Sequence, residues 1–369
     1  MTRIDGIPRS SNFGNKPRGR LNFLTRNRCG LGKNPLNAIF LPIWTLHSMF
    51  ALLTSATALP KKKLMRSTRE VGRCLTRELA NHQLPRGGWP YTHGSSQAAL
   101  EPSCLALLAL RSDKGPARDL AIRFLLHTQN RDGGWPAFAD DDPGSSGLTG
   151  LALFALNQCG ITGGATDCGF QLLLNLRGWE SHWLWRWKFK TSDRHVRFDP
   201  DKFGWPWMPE TVSWVVPTDY SLLALNASIK TPPPDQVRFR VRRGVEMLFD
   251  RICPQGGWNA GNGVVYGQPL APHLDTTAVA LLALRVEPSN GWVTASLDWL
   301  QHRVQTCFAP WSLAWAILAI DAYGRPTTQL LTLLTDLADS DQIKDCATFG
   351  VMVLALDCAF GRNIFRVTE

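Results

Sequence analysis

One unit recurs along this chain and restricts what it can fold into. An apolar helical run ends at a Gln, two glycines turn the chain, a Trp closes the turn, and a second helix follows that is almost free of charge. The clearest copy is Gln129-Asn130-Arg131-Asp132-Gly133-Gly134-Trp135, leading into Gly147 to Leu156. Gln83…Gly87-Gly88-Trp89 leads into Glu101 to Leu110, and Gln255-Gly256-Gly257-Trp258 leads into Asp275 to Leu284. Glycine at the reversal supplies positive φ, and the indole covers the junction. Gln83 and Gln129 are placed to bond the backbone groups that the turn exposes.

The rest of the pattern alternates between two kinds of helix. Striped helices carrying Arg, Glu and Gln are expected at about 67–82, 116–129, 164–176, 235–252, 292–304 and 326–338. Small-residue apolar helices are expected at about 100–111, 146–158, 217–227, 274–285, 309–322 and 343–358. A helix apolar on all sides must be surrounded by protein, whereas a striped one faces water along one side. Strict alternation of the two predicts an all-α fold, an α6/α6 toroid with six inner helices lining a cavity and six outer ones around them. An open solenoid would need polar end caps. The first and last pairs here are as apolar as the middle ones, which favours closure.

The formal net charge of +10 raises the question of nucleic acid. Residues 1–66 hold twelve Lys and Arg against Asp5 alone, which leaves the remainder with 28 of the 40 basic and 29 of the 30 acidic residues. The body is neutral, so no nucleic-acid partner is expected for it. The domain division is therefore a leader, 1–66, and a toroid, 67–369, with an insertion at 179–214.

The leader combines a basic stretch, expected disorder over 1–34 and an uncharged run from Asn34 to Pro60. A signal, a membrane-associating anchor and a start at Met65 all fit it. The expected location is cytoplasmic or at a membrane surface, with export if the leader is a signal. The insertion contains seven Trp, at 179, 183, 185, 187, 205, 207 and 214, and is expected to cap one mouth of the barrel. The nine cysteines are scattered through apolar runs and read as reduced and structural.

These turns resemble the QW motif of the squalene-hopene and oxidosqualene cyclases. Trp135-Pro136-Ala137-Phe138 with Asp140-Asp141-Asp142, and Trp205-Pro206-Trp207 with Glu210-Thr211, look like repeats of the same superfamily, which includes the protein prenyltransferase β subunits. The resemblance covers about residues 67–358. It implies a single toroid that cyclises a linear isoprenoid, squalene or shorter, without a cofactor, by acid initiation in an apolar cavity. A toroid that only binds an isoprenoid or other apolar molecule is the alternative, and a prenyltransferase-like protein a third. Because triterpene cyclases join two barrels, a partner domain or a homo-oligomer would supply the missing wall.

The family's Asp-x-Asp-Asp-Thr-Ala signature aligns with His273-Leu274-Asp275-Thr276-Thr277-Ala278. The resemblance thus makes Asp275 the acid and His273 its neighbour, while the residues alone leave Asp275 equally readable as a helix cap. Glu101 and Asp219 near other inner-helix starts, Thr276 directly after Asp275, and Phe154, Trp311 and Trp315 within the ring, are the expected substrate contacts. Aromatic faces can stabilise a migrating cation. No metal is expected, since Asp345-Cys346 and Asp357-Cys358 lack a third ligand at a useful spacing.

Overall fold

The computed structural model describes residues 67–139, 145, 147–191, 198–228, 233–287, 290–338 and 343–366. The leader and Asp140-Asp141-Asp142 lie outside them.

Six outer helices, α1 (Thr68–Asn81), α3 (Pro116–Thr128), α5 (Gly164–Asn175), α8 (Asp235–Arg251), α10 (Gly291–Arg303) and α12 (Thr328–Ala338), alternate with six inner ones. The inner set is α2 (Leu100–Ala109), α4 (Thr149–Gln158), α7 (Val215–Ser228), α9 (Leu274–Ala283), α11 (Pro310–Ala322) and α13 (Cys346–Asp357). Each inner helix packs on the next, and α13 packs back on α2, so the ring is closed as the alternation predicts. The division of labour follows from side-chain chemistry. Eight of the ten α4 positions are buried, whereas α1 buries only Val71, Leu75 and Leu79.

The Trp turns hold the pairs together by repeated hydrogen bonds. The indoles of Trp89, Trp135 and Trp258 donate to the carbonyls of Leu79, Leu125 and Leu248 at 2.6–2.7 Å. Each Trp backbone N–H donates to a hydroxyl on the following inner helix, Ser103, Thr149 or Thr277. Gln83 donates to the carbonyls of Gly87 and Ala117, and Gln129 to those of Gly133 and Ala165, all at 2.7–2.8 Å. Gly87 and Gly133 take φ of +99° and +93°, and a Cβ on Gly133 would lie 2.6 Å from the Cys168 carbonyl oxygen. Only glycine fits there.

A fourth clamp is hidden in the insertion. Trp205 donates its indole N–H to the Leu173 carbonyl and its backbone N–H to Thr218. It belongs to a two-stranded pair, β1 (Trp205–Pro206) and β2 (Ser213–Trp214), with Trp205 opposite Trp214. The buried Arg240 guanidinium lies 3.8 Å from the Trp205 ring and donates to the Leu176 and Gly204 carbonyls. Expected as a single capping feature, the insertion divides in two. The strand pair packs on α7, whereas the remaining helix, α6 (Trp183–Thr191), buries none of its residues and presents Trp183, Leu184 and Trp187 to solvent.

The expected greasy hollow is where the structure departs most from the sequence reading. Phe365, from the tail after α13, stacks on Phe154 of α4 at 5.5 Å and lies 6.2 Å from Trp315 of α11. Helices α4 and α11 are opposite members of the ring, so these three buried rings cross its centre. Asn363 and Arg366 fix the tail through Asp321, with Arg366 donating twice, at 3.0 and 2.8 Å. A second short strand pair, β3 (Val264–Val265) and β4 (Gln268–Pro269), lies in the loop before α9. The eight cysteines of the described residues are free thiols. Among the described residues no helix is long and apolar enough to cross a membrane.

Candidate functional site

Every inner helix starts at the same end of the ring, and that end collects acids. Glu101 lies in the first turn of α2, Asp275 in the first turn of α9, and Asp345 immediately before α13. Glu101 is fully buried and accepts hydrogen bonds from the hydroxyls of Tyr91 (3.1 Å) and Tyr220 (3.3 Å). Tyr220 comes from α7, while Tyr91 comes from the loop before α2. That loop is tied down by the Cys346 N–H donating to the Tyr91 carbonyl and the His93 N–H donating to that of Lys344. Tyr91 meets Phe138 edge to face at 5.8 Å, and His93 stacks between His82 (3.7 Å) and Phe349 (5.2 Å).

Burial pushes the Glu101 carboxyl well above the usual carboxylate range, and the charges of Asp345 and then Asp275 add to the effect. The two tyrosine hydroxyls pull the other way without cancelling it. The helix N-terminus also favours an anion, by about 0.3–1 kcal/mol. The penalty for burying a charge is several kcal/mol per ion, so the proton stays. Burial and Glu101 in turn raise both tyrosine hydroxyls.

Asp275 is half-buried and accepts the Trp311 indole N–H at 3.1 Å. Two readings of it change. It does not cap α9, whose N-cap is His273 with no side-chain cap bond. Nor is His273 its partner, since His273 is exposed and the Asp275 side chain bonds Trp311. Thr276 is buried beside it, but Thr277 makes the hydrogen bonds to Trp258. Asp345 is the acid that caps, accepting from the N–H groups of Ala347 and Thr348 and from the Thr348 hydroxyl. No group of three metal-ligating side chains occurs among the described residues.

Asp219 is fully buried in α7 with neither carboxylate oxygen bonded, and burial raises it well above its ordinary range. Phe154 and Trp315 belong to the aromatic crossing, with Trp311 meeting Trp315 edge to face at 5.9 Å. Tyr91 and Tyr220 were not singled out by the sequence. Their signal, a hydroxyl that reaches an acid on another helix, exists only once the ring has closed.

Comparison with known proteins places the fold. No family model matches the chain, and no curated protein matches it by sequence. A protein from Actinoplanes of known structure shares 16% identity at a TM-score of 0.53, over 80% of this chain and all of that one. An α-amylase from Clostridium perfringens shares 9% identity at the same TM-score, over 81% of this chain and 99% of its own. The family 8 endoglucanase Cel10 from Klebsiella pneumoniae aligns at a TM-score of 0.48 with 14% identity, over 78% and 99% of the two chains. These neighbours are α/α toroids. The chain is an α/α toroid.

They also overturn the expectation of isoprenoid cyclisation. The toroids that this chain resembles in structure include an α-amylase. The interior agrees with the correction. Asp275 is half-buried and tied to the Trp311 indole, and aromatic side chains cross the middle of the ring.

Proposed function

We propose that this toroid acts on a carbohydrate and hydrolyses a glycosidic bond at its acid-lined end. The observation that carries the reading is Glu101: a fully buried carboxyl, held above its ordinary pKa, under two tyrosine hydroxyls and beside other carboxylates. The structural likeness to an α-amylase supports it.

Glycoside hydrolysis uses two carboxyl groups in different states. One must carry a proton to the leaving oxygen, and burial is the usual way to keep that proton near neutral pH. The raised Glu101 carboxyl supports that role. Asp275, on the Trp311 indole, suits the second role, which is to activate water or to stabilise the positive charge that develops on the sugar ring. Tyr91 and Trp311 are half-buried at the same end and offer flat faces to a sugar ring, in keeping with the mainly apolar and aromatic walls of ligand sites.

The test is chromatographic product analysis of the full chain with α- and β-linked oligosaccharides of glucose, xylose and mannose. Cleavage of at least one of them is expected. Removing a positioned general acid costs about 10²- to 10⁴-fold, so Glu101→Gln and Asp275→Asn should each lower the rate to that extent. The wild-type rate should fall as pH rises through the raised Glu101 pKa. Absence of cleavage across the panel, or full activity in Glu101→Gln, would overturn the reading.

A further inference from the structure

The opposite end of the ring carries a second, differently charged feature. A cavity of about 720 Å³ opens between α1 and the C-terminal end of α13. Arg69, Arg73 and Arg77 of α1 line one wall, and Arg362 with Phe360 line the other. Spacing of four residues sets the three α1 arginines on one face, each about 6 Å further along the axis than the last. Arg69 and Arg362 approach the Phe360 ring at 5.0 and 5.2 Å, which fixes two guanidinium groups from separate elements on one support.

The acids in the cavity are already engaged. Asp357 pairs with Arg362 at 2.5 Å and with Arg111 at 3.6 Å, and Asp113 accepts the Gly115 N–H. Arg73 and Arg77 make no ion pair or side-chain hydrogen bond among the described residues. Arg69, Arg73 and Arg77 are exposed, so solvent screens their mutual repulsion; what favours an anion is that guanidinium forks match phosphate oxygens in pairs. Val353 and Leu356 leave part of the wall apolar.

We propose that this cavity binds a ligand carrying two or more phosphate groups, with Arg73 and Arg77 as the principal contacts and Arg69 and Arg362 as fixed flanking ones. The spacing along α1 favours a chain of phosphates over a single one. Asp357 lies about 18 Å along α13 from the acid end, and the site does not depend on the carbohydrate reading.

Calorimetric titration of the full chain tests it, with orthophosphate, pyrophosphate and inorganic tripolyphosphate as probes. Affinity should rise at least tenfold from orthophosphate to tripolyphosphate. It should fall at least tenfold in Arg73→Gln/Arg77→Gln, while circular dichroism and the melting temperature without ligand stay those of the wild type. A nucleoside triphosphate distinguishes the source: tighter binding than tripolyphosphate assigns an organic ligand lying against Val353 and Leu356, and equal binding assigns recognition to the phosphates alone. Tripolyphosphate binding that is absent from the wild type, or that survives the double substitution because the basic leader carries it, overturns the proposal.

Discussion

Asp219 and Glu101 show how differently two buried acids can be housed. Glu101 receives two hydroxyl donors, whereas Asp219 receives none, and burial raises both above their ordinary pKa. An acid whose folded pKa is raised contributes stability that is fully present below its unfolded pKa and lost as pH climbs through the folded one. Unfolded Asp titrates near 3.9, so the Asp219 contribution should be largely intact at pH 3.5 and should shrink as pH rises toward 8. Asn at 219 would remove the titration without changing shape. Urea unfolding should therefore show Asp219→Asn gaining at least about 1.4 kcal/mol on the wild type between pH 3.5 and pH 8, the worth of a single pKa unit. An equal difference at both pH values would mean that Asp219 does not titrate in this range.

At the level of the element, the Trp turn is the joint that sets how each outer helix meets the next inner one. Its parts are not equally used. Gln129 bridges the carbonyls of Gly133 and Ala165, while Gln255 is exposed and the corresponding Gly257 N–H donates to Ser296. Two hydrogen bonds at about 1 kcal/mol each make Gln129→Ala cost about 2 kcal/mol. Gln255→Ala should stay within about 0.5 kcal/mol of wild type, and chemical denaturation of the two variants separates them. The joints were legible in the sequence wherever glycine doubled before Trp, because only glycine accepts φ near +93° against the Cys168 backbone. Trp205 escaped notice as a clamp because a single Gly204 precedes it and no Gln marks the turn. Its function rests on Thr218, thirteen residues on, which a local motif does not reveal.

On the scale of the whole molecule, the alternation of striped and apolar helices was enough to predict a closed ring, because end pairs as apolar as the middle ones leave no surface for a cap. It could not foresee what fills the ring. Phe365 follows the last periodic segment and looks like an ordinary tail residue, yet Asp321, Asn363 and Arg366 hold it against Phe154 and Trp315. Nor could spacing bring Tyr220 to Glu101 across 119 residues of sequence. With its centre crossed by aromatic rings, the molecule is left with two polar ends, one acidic and one rich in arginine. Carbohydrate chemistry at the acidic end is thus a statement about which end a sugar occupies. Hydrogen-exchange mass spectrometry of the full chain, with and without a thio-linked oligosaccharide that cannot be hydrolysed, measures this directly. Slower exchange is expected at 89–101, 273–277 and 309–315, with 353–362 unchanged; slowing confined to 353–362, or none at the acidic end under saturating sugar, would contradict it.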